Sequence, residues 1–308
     1  MKKVLASIIF VFIVGIANAQ QDAQYTNYMY NTMSINPAYA GSRGTASLFG
    51  LHRSQWVGID GAPTTNTFAM HTPLKNSNMG LGLSFVKDVI GPSDESAISV
   101  DFSYTITTSD DFKLALGLRS TANLVNVDFT KLNIYNPGDV LAQYNIENKF
   151  SPNFGFGAYW YSDNTYFGFS IPNMLETSHF DKGQANYSAA SVATSKRHYH
   201  FMAGHVMDLL PSVQFKPALL VKAVEGAPLQ MDLSANFLYN EKLTIGAAYR
   251  WGNAISLLTG FQINSNWFIG YGYDLEQTKL SYYNSGSHEL FLRYEFARNK
   301  KVLTPRFF

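Results

Sequence analysis

The stretch LQMDLSANF, Leu229 to Phe237, alternates apolar and polar side chains without a slip. In an extended chain Leu229, Met231, Leu233, Ala235 and Phe237 share one face, while Gln230, Asp232, Ser234 and Asn236 share the other. The period is that of a strand with two unlike surroundings. Ile98 to Ile106 repeats it: Ile98, Val100, Phe102, Tyr104 and Ile106 oppose Ser99, Asp101, Ser103 and Thr105. Leu290, Leu292, Tyr294 and Phe296 likewise oppose Glu289, Arg293 and Glu295.

Working outward, fourteen such segments are expected, at 44–54, 63–72, 79–88, 95–107, 112–125, 153–162, 165–171, 198–209, 213–224, 229–238, 243–251, 254–263, 267–275 and 286–297. The one at 198–209 alternates least clearly. Every second connection is tight and turn-forming: residues 75–78, 109–111, 162–164, 209–212, 240–242 and 264–266. The other set varies and holds two long loops, 126–152 and 172–197, though it also includes the brief Gly252-Asn253 turn. Short turns at one end and longer loops at the other are the rhythm of an outer-membrane barrel, with the short turns periplasmic.

A soluble β-sandwich also alternates, but its polar face must carry the charge that keeps it in solution. Here only 15% of residues are charged, against roughly 25% in soluble proteins, and 15% are aromatic. The polar face holds Ser, Thr, Asn and Gly with isolated charges at Asp101, Lys113, Arg119, Lys216, Asp232 and Arg250, which suits a crowded lumen. Trp160, Tyr161, Trp251, Trp267 and Tyr273 fall near segment ends, where interfacial girdles belong. The expected fold is all-β: a transmembrane antiparallel outer-membrane β-barrel of about 14 strands, occupying residues 44–297.

The N-terminus reads as a secretion signal at 1–19. Lys2 and Lys3 precede an apolar run from Val4 to Ile16, followed by an A-x-A site at Ala17-Asn18-Ala19. A membrane anchor is the alternative, but the run is shorter than the roughly 20 residues a spanning helix needs. Cleavage near Ala19 removes two lysines and no acid, leaving 21 basic and 22 acidic residues. That balance offers no footprint for nucleic acid. With no cysteine there is no disulfide framework or thiolate metal site.

Between signal and barrel lies a segment, 20–43, whose part Gln24 to Gly41 has four tyrosines, two methionines and no charge. Tyr25, Tyr28, Tyr30, Asn36, Pro37 and Tyr39 suit a half-polar lumen wall, and the segment is expected to enter the barrel from the periplasmic side as a plug. A disordered periplasmic tail is the alternative, although free tails seldom hold so many aromatics. Residues 298–308 form a basic periplasmic tail ending in two phenylalanines.

Certain residues carry a resemblance. Asn36-Pro37-Ala38-Tyr39-Ala40-Gly41, Arg53-Ser54-Gln55-Trp56-Val57-Gly58, Gly61-Ala62-Pro63-Thr64-Thr65, His71-Thr72-Pro73 and the ending Thr304-Pro305-Arg306-Phe307-Phe308 resemble the PorP/SprF family, outer-membrane proteins of type IX secretion. The sequence departs from that family at Asn31-Thr32, where Asn-Pro is the expected pair. The resemblance implies a non-enzymatic barrel that supports export or surface anchoring of a large secreted adhesin, as in gliding bacteria, by binding its C-terminal sorting domain. It also implies periplasmic and lipoprotein subunits of the secretion apparatus as partners, besides the outer-membrane lipids.

On a barrel the extracellular loops are the natural contacts. Arg53, Gln55 and Trp56 beside the first outer loop, Asp128, Lys131, Tyr135 and Tyr144 in the long loop 126–152, and Phe180, Lys182 and Tyr187 in the long loop 172–197 supply aromatic and charged anchors. A porin or a channel for small or hydrophobic solutes remains the rival function. No cofactor or metal is expected. His198 and His200 share a face, but no third ligand of fitting geometry accompanies them and His205. GLGLS at 80–84, GFGAY at 155–159 and GYGYD at 270–274 lack the helix that phosphate binding needs, and relieve crowding instead. No G-x-S-x-G elbow occurs.

Overall fold

The computed structural model describes residues 23–75, 77–131, 145–176 and 196–296. Among them run fifteen strand segments: β1 (Ser47–Ser54), β2 (Thr64–Pro73), β3 (Met79–Ile90), β4 (Ser93–Thr107), β5 (Lys113–Val127), β6 (Ile146–Tyr161), β7 (Thr165–Ile171), β8 (His198–His205), β9 (Met207–Leu210), β10 (Val213–Val224), β11 (Gln230–Tyr239), β12 (Leu243–Arg250), β13 (Ala254–Gln262), β14 (Trp267–Glu276) and β15 (Ser287–Glu295). β8 and β9 are two halves of one strand, interrupted at Val206, whose N–H donates to the carbonyl of Asn164 at 2.7 Å. Both halves pair with β10, with a register shift between Val213 and Gln214.

Every neighbour in the sheet is antiparallel, and β1 pairs with β15 as well as β2, from Ser47↔Glu295 to Ser54↔His288. That seam closes a fourteen-stranded barrel and leaves no free edge to pair with another chain. All fourteen expected segments overlap a strand. The largest boundary difference is β6, which begins at Ile146 rather than 153. Residues 146–152 read as loop, yet Ile146, Lys149 and Pro152 pair with β5, with Glu147 and Asn148 in a bulge where the register shifts between Val125 and Val127. β3 and β4 also run on to a two-residue hairpin whose Gly91 takes φ 55°, a conformation that costs glycine nothing. The wall from β3 to β6 is therefore built of strands 12–16 residues long, while β7 has only 7.

The burial pattern is inverted relative to a soluble protein. On β4, Asp101, Ser99 and Ser103 are buried, while Ile98, Val100 and Phe102 are 39–51% exposed. β4 thus turns its apolar residues outward to lipid and its polar residues inward, as transmembrane barrels do, whereas Phe49, Leu51, Phe268 and Phe291 on β1, β14 and β15 are buried on the lumen side. Trp160 stacks between Phe112 and Phe167, and Trp267 meets Tyr294 at a tilt, at the short-turn end of the outer surface. Tyr161 departs from the girdle expectation: it lies on the lumen side against Tyr159, because odd positions of β6 face inward.

Lys87 Nζ meets Asp94 Oδ2 at 2.9 Å across β3 and β4, both side chains well exposed. Such a pair contributes little where water screens it. Lys87→Ala is expected to change the unfolding free energy by less than about 1 kcal/mol, measured by urea unfolding in lipid vesicles. A loss several times larger would place this pair in a low-dielectric setting.

Candidate functional site

The inward face gathers most of the charges that alternation assigned to it; the arginines there meet acids, while Lys216 lies over the Tyr166 ring. Arg119 meets Asp101, its direct cross-strand neighbour, through two parallel hydrogen bonds of 2.7 and 2.9 Å. Arg250 meets its own cross-strand neighbour Asp232 at 3.1 and 3.2 Å. Arg43 pairs with Glu295, which also lies 3.5 Å from Arg293. Lys113 alone of the expected lumen charges is exposed, since it opens β5 at the barrel rim.

Residues 24–45 run along this interior. Gln24 Oε1 accepts from Arg250 Nη1 at 3.2 Å, at the extracellular end of β12. Thr26 and Asn27 then meet a node of three buried charges. Arg53 donates to Asp274 at 2.7 Å, to Glu289 at 3.1 Å and to the Thr26 hydroxyl at 2.7 Å. Glu289 accepts from the backbone N–H of Thr26 at 2.9 Å and of Asn27 at 2.7 Å, and from the Asn27 amide at 2.9 Å. The Thr26 hydroxyl also donates to Asp274.

Further along, Tyr30 stacks on Phe268 and Phe291 with centroids 5.2 and 4.9 Å apart. A helical turn, Thr32–Ile35, presents the carbonyls of Met33 and Ser34 to Arg119 at 2.5 and 2.9 Å. Asn36 caps the 3₁₀ turn Pro37–Tyr39 by accepting from Ala38 N–H at 3.0 Å, with Pro37 supplying the preset φ of a first helical position. The Asn36 amide donates to the Ala158 carbonyl at 3.0 Å. Ser170 and Ser103 donate to the carbonyls of Ile35 and Ala40, each at 2.6 Å. Tyr39 meets His71 and Tyr159 edge-on, and Thr45 closes on the Phe296 carbonyl at 2.6 Å, at the periplasmic rim.

The wall glycines answer to this segment. A Cβ on Gly117 would collide with the backbone of Pro37 and Ala38, and one on Gly80 with the Ala40 carbonyl. The GLGLS repeat is thus a groove for Ala40, not a nucleotide loop.

Arg53, expected among the surface contacts, is 1% exposed inside the barrel. It sits at an inward position of β1, so its partner is the chain's own N-terminal segment. Trp56 folds back over the rim, its indole donating to Glu276 at 3.3 Å, and Gln55 donates its N–H to Pro63. Asp128 accepts from the Thr130 hydroxyl at 2.6 Å and from Thr130 N–H and Asn145, and these bonds hold its carboxyl below the usual range. Lys131 is exposed. Tyr135, Tyr144, Phe180, Lys182 and Tyr187 lie outside the described residues, as do the expected signal at 1–19 and the tail at 298–308. His198 and His200 face inward while His205 faces out to Thr165, so the three share no site. Among the described residues no cluster of His, Asp or Glu is arranged to hold a metal.

Sequence reasoning missed Thr26, Asn27, Asp274 and Glu289 as a unit. Their inward parity was readable for Glu289, but Arg53 lies 221 and 236 residues from its two acids, and only closure of the seam brings them together.

Beside the segment, in the extracellular half, lies a cavity of about 360 Å³. Ala23, Tyr25, Ser34 and Ile35 line it from the segment side, and β3 to β6, β8 and β10 from the wall.

Several solved barrels align with the chain at low identity. The TodX deltaS2S3 mutant, a monoaromatic hydrocarbon channel, aligns with a TM-score of 0.51 at 9% identity, over 89% of this chain and 94% of that one. The Pseudomonas putida toluene transporter TodX gives 0.48 at 9% identity, over 91% and 95%. A Pseudomonas aeruginosa FadL homologue gives 0.43 at 12%, over 92% and 96%. At such identities the likeness concerns the fold alone. No curated protein sequence matches significantly. The family model described as type IX secretion system membrane protein PorP/SprF matches residues 17–294. With its barrel and the motifs at 36–73 in place, the chain belongs to the PorP/SprF family of type IX secretion system membrane proteins.

Proposed function

We propose that this barrel supports export or cell-surface anchoring of a large secreted adhesin-like protein, gripping that protein's C-terminal sorting domain through its extracellular loops. Periplasmic and lipoprotein subunits of the secretion apparatus are its other partners, and residues 20–43 serve as a plug. The role is one of binding and assembly, without catalysis. The observation that supports this reading is the contact between the N-terminal segment and the inward face of the barrel. A lumen lined by its own chain from Gln24 to Thr45 and held by buried ion pairs favours gripping a partner at the rim over passing one through.

The test is site-specific photocross-linking in the outer membrane, with the probe placed in turn at Asp128, Lys131, Tyr135 and Tyr187. Adducts with the C-terminal region of one secreted protein are expected, and none from a probe at the lipid-facing Trp160. Continued secretion with no adduct at any loop position would overturn the proposal.

The cavity in the extracellular half supports a second reading, a channel for small solutes. Under the first reading the full-length protein is silent in planar bilayers. Strong conductance by the full-length protein, unchanged on removal of residues 20–42, would favour the channel.

A further inference from the structure

We propose that the chain's own segment 297–308 folds back across the periplasmic mouth and docks between the β9–β10 and β11–β12 hairpins. Its Phe307 and Phe308 pack on Leu209, Leu210 and Leu238, and its basic residues lie beside Asp208. The site is on the inner rim and is independent of the anchoring reading.

The receiving surface is a depression of about 720 Å³, lined by Leu209 and Leu210 from β9 and by Leu238 from β11, with Asp208 among its residues. Leu238 is 1% exposed and forms the floor, while Leu209 and Leu210 are 52% and 61% exposed. Val206 is bonded to Asn164 in the β6–β7 turn, so both leucines lie further toward the periplasm than the girdle residue Trp160. A lone exposed leucine is unremarkable, but two beside a concave apolar floor mark a docking surface. Asp208 accepts from Gln214 Nε2 at 2.7 Å and meets no cation among the described residues.

Reach, charge and composition select the occupant. β15 leaves the wall at this same rim, where Phe296 N–H donates to the Ala46 carbonyl at 3.0 Å. The twelve residues that follow span up to roughly 40 Å when extended. Fourteen tilted strands about 4.8 Å apart close a barrel roughly 25 Å across, so the segment crosses the mouth with chain to spare. It carries Arg298, Lys300, Lys301 and Arg306 and no acid. The short turns it crosses are acidic on balance, with Asp110, Asp111, Asp163, Asp208 and Glu241 against Lys75, Lys113 and Lys242. Val302, Leu303, Phe307 and Phe308 supply the apolar contacts. A tethered segment acts at an effective concentration on the order of mM, which favours it over a separate chain of the same composition.

The chain has no cysteine, so engineered pairs report proximity. Phe307→Cys is combined either with Ser212→Cys on the docking hairpin or with Ser265→Cys on the β13–β14 turn. Both serines are exposed, and β14 adjoins β15 whereas β10 lies five strands away. An undocked segment therefore meets the Ser265→Cys thiol at least as readily. In full-length barrels reconstituted into lipid vesicles and mildly oxidised, the Ser212→Cys pair is expected to close within one chain at least about tenfold faster than the Ser265→Cys pair. Leu209→Ser with Leu210→Ser removes that preference, and Asp208→Asn or about 0.5 M salt reduces it. Heat-modifiable migration confirms that each barrel has formed. Equal rates, a faster Ser265→Cys pair, no disulfide at either site, bridges only between separate chains, or a preference that survives Leu209→Ser with Leu210→Ser overturns the proposal.

Discussion

Arg53→Met is expected to lower the unfolding free energy by about 3–5 kcal/mol, the usual loss when one member of a buried ion pair is removed. The reason lies in what remains. Asp274 and Glu289 are almost wholly inaccessible to water and would keep two carboxylates side by side without a countercharge. The N–H groups of Thr26 and Asn27 bind Glu289 and cannot neutralise it alone. Protonating Glu289 would only return the node to its original net charge of one negative, and would weaken the acceptor that anchors the segment. Two readouts check this: urea unfolding in vesicles, and protease clipping between Tyr25 and Tyr39 in the folded barrel. Thr26→Ala should produce the clipping with a smaller loss of stability, since the ion pairs survive. Unchanged stability and full protection in Arg53→Met would show that the node does not hold the segment.

Gly117→Val should displace the Pro37–Tyr39 turn altogether. Overpacking costs about 1–3 kcal/mol where side chains can give way, but at Gly117 the obstruction is the backbone of Pro37 and Ala38. Those atoms have nowhere to go while Asn36 and Ala40 stay bound to β6 and β4. The expected result is rapid chymotryptic cleavage at Tyr39 together with a new conductance in planar bilayers. Gly50→Val is the matched control, since a Cβ there meets nothing within 4 Å. A silent, protected Gly117→Val barrel would mean that the segment has another seat.

The strands were legible because lipid and lumen impose unlike demands on successive residues, and period two records both. Leu233 against Ser234, or Val100 against Asp101, needs no tertiary knowledge to interpret. Boundaries failed where that contrast ends: in the outer part of β6 successive residues no longer alternate between unlike surroundings, so Ile146 and Lys149 look like loop although they are paired. Partnership was less readable than orientation. Asp101 and Arg119 sit on consecutive strands, and their match follows from one hairpin. Arg53 joins the first strand to the last two, so its sequence neighbours Ser54, Gln55 and Trp56 suggested a surface loop instead. For the N-terminal segment, composition indicated a half-polar setting. The order of its contacts, from Arg250 at the outer end to Phe296 at the inner rim, came only from the fold.

The seam between β1 and β15 has a consequence for biogenesis. The segment before β1 touches β14 and β15 through Thr26 and Asn27, and β4 to β7 through Met33 to Ala40. What the ribosome makes first is therefore locked last, by residues made nearly at the end. Contacts so distant along the chain slow folding, because loop closure precedes any stabilising return. They also make completion verifiable: until the C-terminal hairpin arrives, Arg53 lacks both its acids. A nascent barrel truncated before Asp274 would carry an unpaired guanidinium and an unanchored N-terminus, and protease sensitivity of that segment becomes a direct report on whether the last strands have joined the first.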